Sequence, residues 1–181
     1  MERTVLITGA SSGIGASLAK LFAQKDFRLI INARNTSRLN ELKEALGENK
    51  DIVVIPTDLS EKKGAEKLIQ EVENKGLHVD ILVNNAGIAI GGSIVTLALE
   101  DWQRQQAINL DGVFLGVKHS IPEMNKSGSG SIINISSVAG LKGARSLAAY
   151  NATKGGVRLF TKGVALECAT NRWPIRVNSV H

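Results

Sequence analysis

Short β-branched apolar runs alternate along the chain with longer stretches in which apolar residues recur at helical spacing. The runs are Val5-Leu6-Ile7, Leu29-Ile30-Ile31, Ile52-Val53-Val54-Ile55, Ile81-Leu82-Val83, Ile132-Ile133-Asn134-Ile135 and Ile175-Arg176-Val177, and they predict six strands. Helical patterns bounded by breaker residues lie between them, at roughly 13 to 25, 37 to 47, 61 to 76, 98 to 126 and 148 to 171. The fourth is long enough to read as two helices. Parallel strands need crossover connections, so a regular strand–helix alternation implies a parallel sheet covered on both faces. The first strands carry apolar neighbours on both sides instead of a polar alternation, as burial on both faces requires. The expected fold class is α/β: a doubly wound, Rossmann-like parallel sheet of six strands in three α/β/α layers. No linker or repeat interrupts the series, so residues 1–181 read as one domain.

Composition narrows the function more than the fold. With 43% hydrophobic residues the chain can build a real core. The 18 glycines cluster at Gly9 to Gly15, Gly87 to Gly92 and Gly128 to Gly130, which points to local backbone demands rather than low complexity. The net charge of +5 is spread through helical patterns among Asp and Glu, and only 4% of residues are aromatic, so no nucleic-acid partner is expected. A basic balance suits an anionic cofactor equally well. Cys168 is the only cysteine, set in a helical pattern, and reads as a buried inert thiol. The amino terminus runs straight into a strand and no apolar run is long enough to cross a bilayer, which gives the expectation of a cytoplasmic protein with no membrane partner. His78, His119 and His181 have no metal-ligand spacing, so no metal is expected, and a Gly-x-Ser-x-Gly nucleophile turn is absent.

Candidate chemistry begins after the first strand, at Thr8-Gly9-Ala10-Ser11-Ser12-Gly13-Ile14-Gly15 leading into a helix. Glycines allow a tight turn and let backbone N–H groups approach a diphosphate, while the helix amino terminus adds partial positive charge. A glycine-rich turn also joins strand to helix with no ligand at all. The spacing Gly-x-x-x-Gly-x-Gly, followed in order by Asp58-Leu59, Asn84-Asn85-Ala86-Gly87, Asn109, Ser137 and Tyr150-Asn151-Ala152-Thr153-Lys154, resembles the short-chain dehydrogenase/reductase family over essentially the whole chain. The stretch from Asn109 to His181 looks closest to that family's bacterial secondary-alcohol dehydrogenases and carbonyl reductases.

The resemblance implies a nicotinamide cofactor held by Gly9, Ser11, Ser12, Gly13, Ile14 and Gly15. It implies further that Asp58 and Leu59 meet the adenine and that Asn85, Ala86 and Gly87 line the ribose side. On the residues alone, Asp58 can equally cap a helix beginning near Ser60, and the asparagines can tie neighbouring strands together. At the end of the second strand, Ile31-Asn32-Ala33-Arg34-Asn35 holds no acid to accept hydrogen bonds from a ribose 2′-hydroxyl. Arg34 offers a planar fork for a 2′-phosphate, with Arg38 nearby to share the charge, so NADP(H) is expected over NAD(H). A solvated surface arginine is the plainer alternative.

Tyr150 and Lys154, four positions apart in a helical pattern, project from one face. A free tyrosine titrates near about 10, and a nearby cation favours its phenolate. By spacing alone such a pair is an ordinary surface pair. The resemblance makes Tyr150 the acid/base and Lys154 its partner and a ribose ligand. It makes Ser137, thirteen positions before the tyrosine, the group that holds the substrate oxygen, with Ser136 structural. It gives Asn109 a water in a proton relay to Lys154. The expected reaction is hydride transfer between NADP(H) and a carbonyl or secondary alcohol.

The apolar segments Ile88 to Leu97 and Val138 to Leu147 suggest a small hydrophobic substrate. A 3-oxoacyl-carrier-protein reductase and a non-catalytic NADP(H)-binding sensor or scaffold are the alternatives. Family members continue beyond the position of His181 with a further strand and a substrate-covering segment, which the chain is expected to lack. Apolar helix faces around 107 to 126 and 150 to 169 resemble those packed between subunits, implying a homodimer or homotetramer.

Overall fold

The structure, a computed structural model, describes residues 3–25, 27–47, 51–61 and 63–181. All six expected strands form: β1 (Arg3–Thr8), β2 (Phe27–Ala33), β3 (Ile52–Pro56), β4 (Ile81–Asn84), β5 (Gly130–Ile135) and β6 (Ile175–Val180). They pair in parallel in the order β3-β2-β1-β4-β5-β6. The chain therefore leaves β1 toward one edge through β2 and β3, then returns to pair β4 on the other side of β1. Ligand crevices of open α/β sheets open at such a reversal.

Side chains alternate across the sheet and both faces are covered. Val5, Ile7, Leu29, Ile31 and Val83 pack against α1 (Gly13–Ala23) and α2 (Thr36–Leu46). Leu6, Ile30, Leu82 and Ile132 pack on the opposite face, beneath α3 (Gly64–Asn74), α5 (Gly112–Ser127) and α6 (Ala148–Thr170). This two-sided burial is why the strands read as unbroken apolar runs.

Two helical expectations change. The helix expected at 61 to 76 begins at Gly64, and residue 62 lies outside the described residues. The stretch expected to hold two helices is one continuous helical run: α4 (Leu99–Gln106) passes through a π turn at Ala107–Asp111 directly into α5, with the Gly112 N–H donating to the Ala107 carbonyl. A π turn inserts one extra residue and so shifts the phase of the apolar stripe. Periodicity alone takes that shift for a boundary.

Where the strands reach their carboxyl ends, the face beneath α3, α5 and α6 turns polar. Thr8, Asn32, Asn84 and Asn134 are all buried there, Thr8 in register with Asn32 and Asn84 with Asn134. Each makes a side-chain hydrogen bond, while Asn32 Oδ1 is buried without a partner. Asn84 Nδ2 donates to Asn134 Oδ1 at 2.9 Å, and Asn134 Nδ2 to Thr161 Oγ1 on α6 at 3.0 Å. A Cβ on Gly116 of α5 would lie 2.6 Å from Asn84 Oδ1, so only glycine lets α5 settle over this ladder. Asn134→Leu strands buried amide groups and is expected to lower the unfolding free energy by about 1–3 kcal/mol, read as a reduced urea midpoint. An unchanged midpoint would show that the ladder does not hold the sheet.

Candidate active site

A cleft of about 790 Å³ opens at the carboxyl ends of β1 to β4. Its floor is the glycine turn. Gly9 has φ +66°, and a Cβ there would sit 2.8 Å from Ala86 Cα, so the turns after β1 and β4 pass closer than any side chain permits. Asn85 locks them together by donating from Nδ2 to the Thr8 and Gly9 carbonyls at 3.0 and 3.1 Å. Thr8 Oγ1 accepts from the Asn85 and Ala86 N–H groups. The strand-tying role weighed for the two asparagines is therefore what both side chains do. Ser12, at the amino-terminal cap of α1, is extended and makes no side-chain cap bond.

Gly9, Ser11, Ser12, Ile14, Asn85, Ala86 and Gly87 all line the cleft; Gly13 and Gly15 do not. Their contribution is conformational. Gly13 opens α1 at φ +54°, and a Cβ on buried Gly15 would lie 2.3 Å from the Gly9 carbonyl oxygen.

Along the β2 edge the lining includes Ala33, Arg34, Asn35 and Arg38. Asn35 Oδ1 accepts the Arg38 N–H and caps α2, which places Arg38 in its first turn on the cleft rim. Asp58 and Leu59 line the wall. Asp58 does not cap a helix: Oδ1 accepts from the Ser60 N–H and hydroxyl at 2.9 and 2.7 Å, closing a turn ahead of α3, while Oδ2 stands 3.8 Å from an Arg34 guanidinium nitrogen.

The second cluster adjoins the cleft through Gly87. A Cβ on Gly87 would lie 3.4 Å from both Asn109 Oδ1 and Lys154 Nζ. Lys154 is 4% exposed, donates to the Ile135 carbonyl at 2.7 Å, and holds its ammonium 5.8 Å from the centre of the Tyr150 ring. Burial lowers its pKa to about 8. Ser136 Oγ donates to the Lys154 backbone carbonyl and pins α6 to β5, a structural role as expected. Ser137 follows β5 in extended conformation, and its Oγ accepts the Ala139 N–H at the short 3-10 turn Val138–Gly140, which packs on α6.

Asn109 is fully buried in the π turn. Its Oδ1 accepts the Ile88 N–H, and its Nδ2 donates to the Ile88 carbonyl and to Thr153 Oγ1. Among the described residues no group of three or more His, Cys, Asp or Glu side chains is placed to hold a metal ion, and no helix is long and apolar enough to cross a membrane.

A family model described as short chain dehydrogenase matches residues 3–181. The chain belongs to the short-chain dehydrogenase family. It is 37% identical over 180 residues to an NADP-dependent (R)-specific alcohol dehydrogenase of Lentilactobacillus kefiri, covering 99% of this chain and 71% of the relative. It is 36% identical to a 3-oxoacyl-[acyl-carrier-protein] reductase of Synechocystis, covering 98% and 72%. The bulky-bulky ketone specific alcohol dehydrogenase from Comamonas testosteroni superimposes with a TM-score of 0.90 at 32% identity, covering 98% of this chain and 71% of that one. This short-chain dehydrogenase is thus an NAD(P)-dependent oxidoreductase.

Sequence reasoning assigned no role to Thr8, Thr153 or Gln105. A polar residue closing an apolar strand was the available signal for Thr8. Nothing local marks the other two, whose partners are remote in sequence. For Lys154 the folded pKa lies below the ordinary lysine value of about 10.4, so the unfolded chain binds more protons between the two and stability rises with pH across that window. Urea unfolding of wild type minus Lys154→Met is expected to slope upward above about pH 8, by at most about 1.4 kcal/mol per pH unit, and to be level below it. A level difference throughout would mean that the ammonium is solvated.

Proposed function

We propose that this short-chain dehydrogenase transfers hydride between NADP(H) and a small hydrophobic ketone or the corresponding secondary alcohol, with residues 1–181 acting as one dinucleotide-binding catalytic domain. The observation that carries the reading is the junction at Gly87, where the glycine-floored cleft meets the buried Lys154 ammonium beside Tyr150.

The residues present fit the cofactor. A turn too tight for any Cβ at Gly9, a helix end without a side-chain cap and two arginines on the rim form a cradle for an anionic dinucleotide. A bound nicotinamide supplies or accepts the hydride. In the direction of reduction, the Tyr150 hydroxyl donates its proton to the substrate oxygen, Ser137 Oγ holds that oxygen, and Lys154 stabilises the phenolate that remains. Lys154 reaches the ribose side through its place next to Gly87. Asn109 has three of its four side-chain hydrogen-bonding positions committed to Ile88 and Thr153, which leaves one Oδ1 lone pair for a relay water.

Preference for NADP(H) rests on the rim of the cleft. Ala33 puts no carboxylate there, while Arg34 and Arg38 bring two cations to the 2′ position. Arg34 is already drawn toward Asp58, and its side chain is half exposed. The NADP-dependent relative from Lentilactobacillus kefiri supports the same preference.

Exposed apolar side chains on both segments beside the site, Ile94, Val95, Val138 and Leu141, favour a hydrophobic substrate. The Synechocystis relative and the net charge of +5 favour, as a second reading, an acyl group presented on an acidic carrier. A sensor or scaffold without turnover is the outcome if NADPH binds and no carbonyl is reduced. Phe114, Leu159 and Leu166 expose apolar surface on α5 and α6, which suits a homodimer or homotetramer. A cytoplasmic site of action belongs to the same reading.

Tyr150→Phe is expected to abolish NADPH oxidation in a panel of simple ketones and an acyl thioester while NADPH binding, followed by fluorescence, is retained. Retained turnover defeats the assignment. Ala33→Asp is expected to weaken NADPH binding and shift the NADPH-to-NADH preference toward NADH by about tenfold or more, about 1.4 kcal/mol per tenfold. An unchanged ratio of the two dissociation constants removes the Arg34 neighbourhood from cofactor choice.

A further inference from the structure

Beyond β4 the chain runs from Gly87 to Gly92 beside the head of α6, and its backbone is held at alternate residues. Ile88 gives its N–H to Asn109 Oδ1 at 2.8 Å and its carbonyl to Asn109 Nδ2 at 2.8 Å. Ile90 gives its N–H to Gln105 Oε1 at 2.9 Å and its carbonyl to Gln105 Nε2 at 3.3 Å. Gly92 gives its N–H to the Ser146 carbonyl at 2.9 Å.

In an extended chain the N–H and C=O of one residue share an edge with those of the residue two further on. Each side-chain amide therefore does what a backbone residue does in a hydrogen-bonded ladder pair, one acceptor and one donor on the same partner. Two amides four positions apart, at the end of α4 and in the π turn, replace a neighbouring strand that this segment does not have.

Gln105 is fully buried, although nothing in the reaction requires an amide at that position. A buried glutamine without partners is unfavourable, so its satisfaction by Ile90, and by the Asp101 carbonyl at 3.4 Å, is a built arrangement. The third hold is unusual too. Ser146, four residues before Tyr150, sits at φ +59°, a left-handed conformation uncommon for serine, and from there offers its carbonyl to Gly92.

We infer that Gln105 is a positioning residue for substrate. By clamping Ile90 it holds the segment 88–92 as a fixed wall between Lys154 at one end and the Ser146–Leu147 loop at the other. Substrate is thereby bound against a fixed surface beside Tyr150. The inference rests on the reductase reading above, since the wall matters only if the Tyr150 side is where substrate reacts. Asn109 holds the first residue of the wall and, like Lys154, stands against Gly87; Gln105 does not line the cleft and its side chain bonds Ile90 and the Asp101 carbonyl, so its effect passes through Ile90.

The test uses Gln105→Leu, which fills the buried position but neither donates nor accepts. Three quantities are compared with wild type: amide hydrogen exchange at Ile88, Ile90 and Gly92, the dissociation constant for NADPH, and KM and kcat for whichever carbonyl the wild type reduces. The expected result is faster exchange at Ile90 and Gly92 and a KM raised about tenfold or more, with kcat within about twofold and NADPH affinity unchanged. Unchanged exchange at Ile90 overturns the clamp. A parallel loss of kcat, KM and NADPH affinity also overturns the inference, because it marks general disruption of the fold. If Gln105→Leu does not fold, Gln105→Glu decides in its place: it keeps an acceptor for the Ile90 N–H but turns a carboxylate oxygen toward the Ile90 carbonyl, and the same KM-selective loss is expected. A wild-type chain that binds NADPH but reduces no carbonyl defeats the reductase reading instead, and the clamp is then decided by exchange at Ile90 alone.

Discussion

The approach of the turn after β1 to the turn after β4 is the constraint on which the site depends. Gly9 and Ala86 pass too closely for a Cβ, and Asn85 and Thr8 fasten the two backbones with four hydrogen bonds. Because β1 lies between β2 and β4, every other feature is placed relative to this contact. The amino terminus of α1 points into the cleft on one side, and Gly87 emerges toward Lys154 on the other. A side chain at Gly9 or Gly15 would force these two halves of the candidate site apart.

Burial of polar groups is the second organising fact. The same sheet face that is apolar at Leu6, Ile30, Leu82 and Ile132 becomes Thr8, Asn32, Asn84 and Asn134 two positions later along each strand. Buried polar groups are generally satisfied, and here the partners of the donors are specific: Asn134 for Asn84, Thr161 for Asn134, Ile55 and Thr57 for Asn32, whose Oδ1 is buried without a partner. The row marks the end of the core and the start of functional surface. The amides of Gln105 and Asn109 extend the same device beyond the sheet, giving irregular backbone next to the site the order of a strand.

Lys154 joins the two themes. It is buried by packing of α6 on β5, is held by the Ile135 carbonyl, and carries no carboxylate partner among the described residues. Desolvation is the cause of its lowered pKa. An ammonium in that state interacts strongly with any negative charge that appears nearby, which under the proposed function is the oxygen left when Tyr150 gives up its proton.

Much of this was legible in the linear chain. Strand positions, the alternation of strands with helices and the doubly wound class follow from periodicity, which is a local property of side-chain order. The glycine turn was legible because the residue type answers a backbone demand within a few positions. Asp58, Arg34 and the asparagines could be named, but not assigned. Asp58 closes its turn on Ser60, two residues on, which residue type alone does not tell from a helix cap, and whether Arg34 stands free or near Asp58 depends on the pairing of β2 and β3. The Gln105 and Asn109 clamp on residues 88–92 and the burial of Lys154 left no local mark. Each arises from contacts between groups separated by many residues, whose distances are set by how α4, α5 and α6 pack on the sheet. Local pattern specifies which elements form; the packing of those elements specifies which polar atoms meet, and in this protein the chemistry belongs to those meetings.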